Sequence, residues 1–146
     1  MIKRILKDIK DLLKIAPDTV VDTDNVIFFS IKGPTGTIYE TGTWKIRVQF
    51  PNEYPYKSPS VGFVDKIYHP NVDLKSGTIC LNVLNKSWTP IYNISHIYTI
   101  FLPQLLQYPN AEDPLNIEAG NLFLQDIEEF NKNVLHLLTF QTPNVT

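Results

Sequence analysis

The chain has 146 residues, and at roughly 100 to 200 residues per domain that is room for one folded unit, so residues 1–146 are read as a single domain. Its 43% hydrophobic content supports a sizeable core without metals or disulfides and excludes disorder for most of the length. Thirteen Lys and Arg against fifteen Asp and Glu leave a net charge of -2, with no basic excess to neutralise a phosphate backbone, so nucleic acid is not expected as a partner.

At the start of the chain, Ile2, Ile5, Leu6, Ile9, Leu12 and Leu13 recur at spacings of three, four and seven. That periodicity predicts an amphipathic helix over residues 2–14 with those side chains on one apolar stripe. Lys3, Lys7, Lys10 and Lys14 share a second stripe, and the segment carries five positive and two negative charges. Two readings of the lysines stand open: a solvated face, or a surface for an acidic partner whose binding would weaken with salt.

Pro17 ends the helix region. Val26 to Ile31 is β-branched and aromatic, Thr43 to Phe50 alternates strictly, and Ser60 to Val64 forms a third strand-like run. Trp44, Ile46, Val48 and Phe50 point one way and Lys45, Arg47 and Gln49 the other, the pattern of an antiparallel sheet with one face on the core. Gly33, Pro34, Gly36 and Gly42 mark the intervening loop as turn-rich. Pro51, Pro55 and Pro59 suit either a rigid loop or a polyproline ligand, and the flanking strands favour the loop. From Asp65 to Tyr92 neither period persists, and such a stretch inside a compact domain is functional or misread. A helix is predicted from Asn93 or Ser95 to about Gln107, bent at Pro103 because an interior proline removes a backbone hydrogen bond. Two final helices cover Ile117 to Leu124 and Ile127 to Phe140, the second capped by Asp126, and the tail from Gln141 to Thr146 reads as loose. Strands in one block and helices in another indicate an α+β domain.

Cys80 is the single cysteine, so no internal disulfide forms. The start Met1-Ile2-Lys3-Arg4 leads into charge instead of an apolar signal segment, and a cytoplasmic or nuclear location is expected. No apolar run reaches the roughly 18 residues of a membrane span, so no membrane partner is expected. The Asn-x-Ser/Thr triplets at Asn85, Asn93 and Asn144 are read as chance. His69, His96 and His136 are too scattered to make a zinc site with one cysteine, and no phosphate-binding glycine loop is present. Neither a metal nor another cofactor is expected. Cys80 remains, and it lies shortly after Gly77 inside the aperiodic stretch, where a loop cysteine points to function more than to packing.

His69-Pro70-Asn71, then Cys80 in Gly77-Thr78-Ile79-Cys80-Leu81, then Trp88-Thr89-Pro90, strongly resembles the ubiquitin-conjugating enzyme family. Gly33-Pro34 through Tyr39 and Gly42, Phe50-Pro51, Tyr54-Pro55, Pro109-Asn110 and Asp113-Pro114-Leu115 stand in that family's order, so the likeness covers nearly the whole chain. It implies an N-terminal helix, a four-stranded antiparallel sheet, a long active-site loop region, a central helix and two C-terminal helices. It also implies a transferase that carries ubiquitin or a related modifier as a thioester on Cys80, received from an activating enzyme and passed on with a ligase, RING type by expectation. A free thiol, with reference pKa about 8.5, is a few per cent thiolate near neutral pH and strongly nucleophilic.

By the same resemblance Asn71 is either the donor to the oxyanion or the tie that holds the active-site loop, and Asp113 orients the incoming lysine amine. His69 and Pro70 support the turn. Asn82 stands where many members carry aspartate, and Ile91 where many carry alanine. Lys3, Lys7 and Lys10 of the first helix, with Tyr56, Pro90 and Ile91, match the surface for the activating enzyme and ligases. The run Phe101 to Leu106 with Asp113 to Asn116 looks nearest to the branch serving GID/CTLH ligases, whose acidic C-terminal extension is missing from this sequence. Two other classes are weighed: a non-catalytic adaptor of the same fold, disfavoured by the presence of Cys80 and Asn71, and a cysteine hydrolase using Cys80 with His69 as base.

Overall fold

A computed structural model describes residues 2–141 of the chain, without the side chains of Ile2, Leu81 and Asn82. The elements run α1 (Ile2–Ile15), β1 (Val20–Val21), β2 (Val26–Lys32), β3 (Thr43–Gln49), β4 (Ser60–Phe63), α2 (Leu81–Asn85), α3 (Ile94–His96), a π-helical turn (Ile97–Phe101), α4 (Leu102–Gln107), α5 (Ile117–Gln125) and α6 (Ile127–Leu138). The strands form one antiparallel sheet in the order β1-β2-β3-β4, as the strand block implied.

Register follows from alternation, since a slip of one residue would turn every apolar side chain to water. Phe29 pairs with Ile46 and Ile46 with Phe63, while Ile27, Val48 and Val61 line up beside them. All six are buried, and Trp44 packs edge-on against Tyr39 and Phe63. The core is completed by Ile5, Ile9 and Leu12 of α1, by Ile94, Ile97, Leu102 and Leu106 of the central helix, and by Phe130 and Val134 of α6. None of the described helices is long and apolar enough to cross a membrane.

Five expectations need correction. The α1 stripe is rotated: Leu6 and Leu13 are 60% and 36% exposed, whereas Asp8 is buried with Ile5, Ile9 and Leu12. The short strand β1 is the fourth strand that the resemblance implied and that the residue pattern did not locate. It joins β2 through Asp24 and Asn25, both at positive φ, the backbone that a tight hairpin turn with this strand twist requires. The aperiodic stretch contains α2, a helix too short to show a period. The bend expected at Pro103 is a π-helical turn just before it, in which the Leu102 N–H reaches back to the Ile97 carbonyl, widening the helix where the proline ring has no N–H to donate. The last helix ends at Leu138, and Gln141 is not loose, since its Oε1 accepts from the Thr43 N–H at 3.1 Å. The rest of the tail, residues 142–146, lies outside the described residues.

Candidate active site

Cys80 sits where a small ladder beside the sheet gives way to α2. The Phe63 N–H donates to the Gly77 carbonyl at 2.7 Å and the Ile79 N–H to the Val61 carbonyl at 3.3 Å, so residues 77–79 run along β4. Gly77 has φ +74, and a Cβ there would lie 1.8 Å from the Phe63 carbonyl oxygen, so only glycine allows this approach. Ile79 faces the core at 2% exposure. Alternation then turns Cys80 away from the core, and it is a free, partly exposed thiol.

On its other side the ladder pairs Val72 with Ile79 in antiparallel fashion. In that antiparallel bridge Asn71, which precedes Val72, and Cys80, which follows Ile79, leave on the same side. The Asn71 amide, however, is turned into the neighbouring loop. Its Nδ2 donates to the Asn110 carbonyl and its Oδ1 accepts the Asn110 N–H, both at 2.8 Å, and the residue is fully buried. Of the two roles left open by the sequence, tying the loop is the one this geometry displays.

His69 completes the same turn. The Asn71 N–H donates to its Nδ1 at 2.9 Å, which leaves Nε2 as the protonated nitrogen, and Nε2 donates to the Leu105 carbonyl at 2.8 Å. Burial drives its pKa down to about 4, only partly offset by the Leu105 carbonyl. With both nitrogens occupied and the ring at 0% exposure, His69 has no free base to offer Cys80, which overturns the hydrolase reading.

The Pro70 carbonyl accepts from the N–H groups of Leu115 and Asn116, at 2.8 and 2.9 Å. Asn116 then caps α5 through the Ala119 N–H. The loop carrying Asp113 is therefore anchored at Asn110 on one side and at Leu115–Asn116 on the other, both anchors supplied by the His69-Pro70-Asn71 turn. It also lies close on α5, since a Cβ on Gly120 would come within 2.7 Å of the Pro114 ring. Asp113 is exposed and makes no ion pair among the described residues. The side chain of Asn82 lies outside the described residues.

The residues matched to a partner surface converge as well. Tyr56 and Ile91 are 79% and 83% exposed, and Lys3, Lys7, Lys10 and Pro90 are exposed. They are joined by residues that sequence reasoning missed. Arg4 donates to the carboxylate of Asp8 at 2.7 Å and to the carbonyls of Pro90 and Tyr92 at 3.3 and 3.0 Å. The Tyr54 hydroxyl donates to the same carboxylate, and Trp88 Nε1 donates to the Pro55 carbonyl at 2.8 Å. The available signal was Asp8 itself, an acid falling in phase with Ile5, Ile9 and Leu12.

A family model described as "Ubiquitin-conjugating enzyme" matches residues 3–138. The chain is 48% identical over 126 residues to "Ubiquitin-conjugating enzyme E2 6" of Arabidopsis thaliana, covering 86% of this chain and 66% of that protein. It is 43% identical over 134 residues to "Ubiquitin-conjugating enzyme E2-24 kDa" of Saccharomyces cerevisiae, covering 90% and 62%. The chain thus spans slightly under two thirds of the length of these curated relatives. Among solved structures it resembles the E2 domain of a Toxoplasma gondii ubiquitin conjugating enzyme, with TM-score 0.82, 28% identity, and coverage of 94% and 95%.

Proposed function

This chain belongs to the ubiquitin-conjugating enzyme family, and we propose that it takes ubiquitin or a related modifier from an activating enzyme as a thioester on Cys80 and passes it, with a RING-type ligase, to a substrate lysine. The observation that carries this is a partly exposed thiol at the end of a ladder, with the Asp113 loop tied to the turn that faces it. In the first step the Cys80 thiolate adds to the carbonyl of the incoming thioester, and the tetrahedral intermediate expels the thiolate of the activating enzyme. This exchanges one thioester for another and requires little further activation. In the second step a lysine amine adds to the same carbonyl, gives up a proton, and displaces the Cys80 thiolate to leave an amide.

The amine must be oriented and stripped of water, because a nearby carboxylate alone would only raise its pKa. Asp113 is held on a loop fixed at both ends, which suits it to orient that amine. Asn71 fixes the loop, and any donation from its amide to the oxyanion adds to that role. The exposed Tyr56 and Ile91, with the lysines of α1, serve as the face for the activating enzyme and ligase, and ligases of the GID/CTLH class are the first to try.

Incubation with activating enzyme, ATP and ubiquitin is expected to give a gel band of higher mass that a thiol reductant removes. Cys80→Ser should give a band that resists the reductant, and Cys80→Ala none. A wild-type chain that stays uncharged with ubiquitin and with a panel of related modifiers would end this reading.

A further inference from the structure

The Asp113 loop has a tether besides those supplied by Pro70 and Asn71. Tyr68, one residue before His69, is buried, and its hydroxyl donates to Glu118 Oε1 at 2.7 Å across 50 positions of sequence. A phenol, with reference pKa about 10, keeps its proton at neutral pH and so remains a donor. Tyr68 is itself fixed: its carbonyl accepts from the Tyr39 hydroxyl at 2.6 Å, and its ring packs on Phe130 of α6 with centroids 5.7 Å apart. Glu118 makes no ion pair among the described residues, so Tyr68 is the partner that the fold gives its carboxylate.

Glu118 lies in the first turn of α5, two residues beyond the capping Asn116. That turn bears directly on the loop, since a Cβ on Gly120 would meet the Pro114 ring at 2.7 Å and the Ala111 carbonyl oxygen at 3.2 Å. Asp113 sits between those two contacts in the chain, and a shift of the turn is passed to it. An acid in a first turn also favours the helix dipole, but that role would not need a buried phenol aimed at it. We propose, on the reading of Cys80 and Asp113 given above, that Glu118 is a positioning residue for lysine transfer: held by Tyr68, it fixes the first turn of α5 and through it the place of Asp113.

The test is single-turnover discharge of the ubiquitin-charged chain to free lysine and, in parallel, to hydroxylamine, a small nucleophile that is uncharged at neutral pH and needs no carboxylate to orient it. Only folded, charged molecules contribute to the signal. Glu118→Ala and Tyr68→Phe should each lower the lysine-to-hydroxylamine rate ratio roughly tenfold, as misplacement of an orienting group does, and the double variant no further, because both remove one bond. Glu118→Gln keeps an acceptor oxygen without the charge and should keep the wild-type ratio, whereas a helix-dipole role would make it resemble Glu118→Ala. In an Asp113→Asn background, Glu118→Ala should change the ratio by less than about twofold, since the carboxylate it positions is gone. An equal fall toward both nucleophiles, or an undiminished effect of Glu118→Ala without Asp113, would make the contact merely structural and overturn the proposal while leaving the Cys80 reading intact. A wild-type chain that charges with neither ubiquitin nor a related modifier would overturn that reading, and this inference with it.

Discussion

His69 and Asn71 occupy adjacent roles in one turn and predict different behaviour. His69 is fully buried with its pKa lowered to about 4, against about 6.5 in the unfolded chain. As pH falls below 6.5 the unfolded state binds a proton that the folded state refuses, so stability is full above that value and declines down to about pH 4. The total loss is about 3 kcal/mol. Urea unfolding at neutral pH and near pH 4.5 is expected to show a fall about 2–3 kcal/mol larger in wild type than in His69→Gln. Equal falls would mean that the ring is already charged or already hydrated in the folded state.

Asn71 contributes through two hydrogen bonds to one partner residue. Asn71→Ala removes both partners of the exposed Asn110 backbone, and a cost of about 1–3 kcal/mol in unfolding free energy is expected. Charging of Cys80 should survive, because thioester exchange needs neither the loop nor an oriented amine. Discharge to free lysine should slow by roughly 10²-fold or more if the amide also steadies the oxyanion, and by less if it only holds the loop. Single-turnover discharge measures this directly.

Among the elements, α1 and the loop at residues 89–92 are separate in sequence and joined by Arg4. Its partner Asp8 is 1% exposed while Arg4 is 31% exposed, so the pair is half-buried, and removing the cation strands a buried carboxylate. Arg4→Ala is expected to cost about 2–3 kcal/mol, against at most about 0.5 for Lys7→Ala, whose contact with Asp11 is long at 3.7 Å and open to water. Because Arg4 also holds the carbonyls on either side of Ile91, its loss should lower ligase-stimulated discharge while discharge to free lysine stays unchanged. Parallel assays with and without a RING ligase separate the two effects, and an equal fall in both would make the contact merely structural.

For the molecule as a whole, charge is divided unevenly: the first fourteen residues carry five positive and two negative charges within a chain of net charge -2. If the lysines of α1 meet an acidic partner, the rate of charging by the activating enzyme falls as salt rises, because exposed charges are screened beyond roughly 8 Å at physiological ionic strength. Replacing Lys3, Lys7 and Lys10 by Glu should slow charging at low salt and abolish that dependence. Persistence of the salt effect would make the stripe a solvated face.

What could be read from the chain itself followed from local rules. Alternation from Trp44 to Phe50 specified which face of β3 is buried, and Asn93 and Asp126 announced helix starts that the structure caps as expected. The order of His69-Pro70-Asn71, Cys80 and Asp113 announced the family. Local rules are blind to partners distant in sequence, and there the tertiary structure decided. Spacing alone counted Leu6 and Leu13 with the core, but the buried arc of α1 is set by what packs on it, and Tyr54 and Arg4 draw Asp8 inward. The role of Asn71 likewise depends on a residue 39 positions away, which no periodicity records. Buried polar groups must find partners wherever the fold supplies them, and only the folded chain shows which ones it supplied.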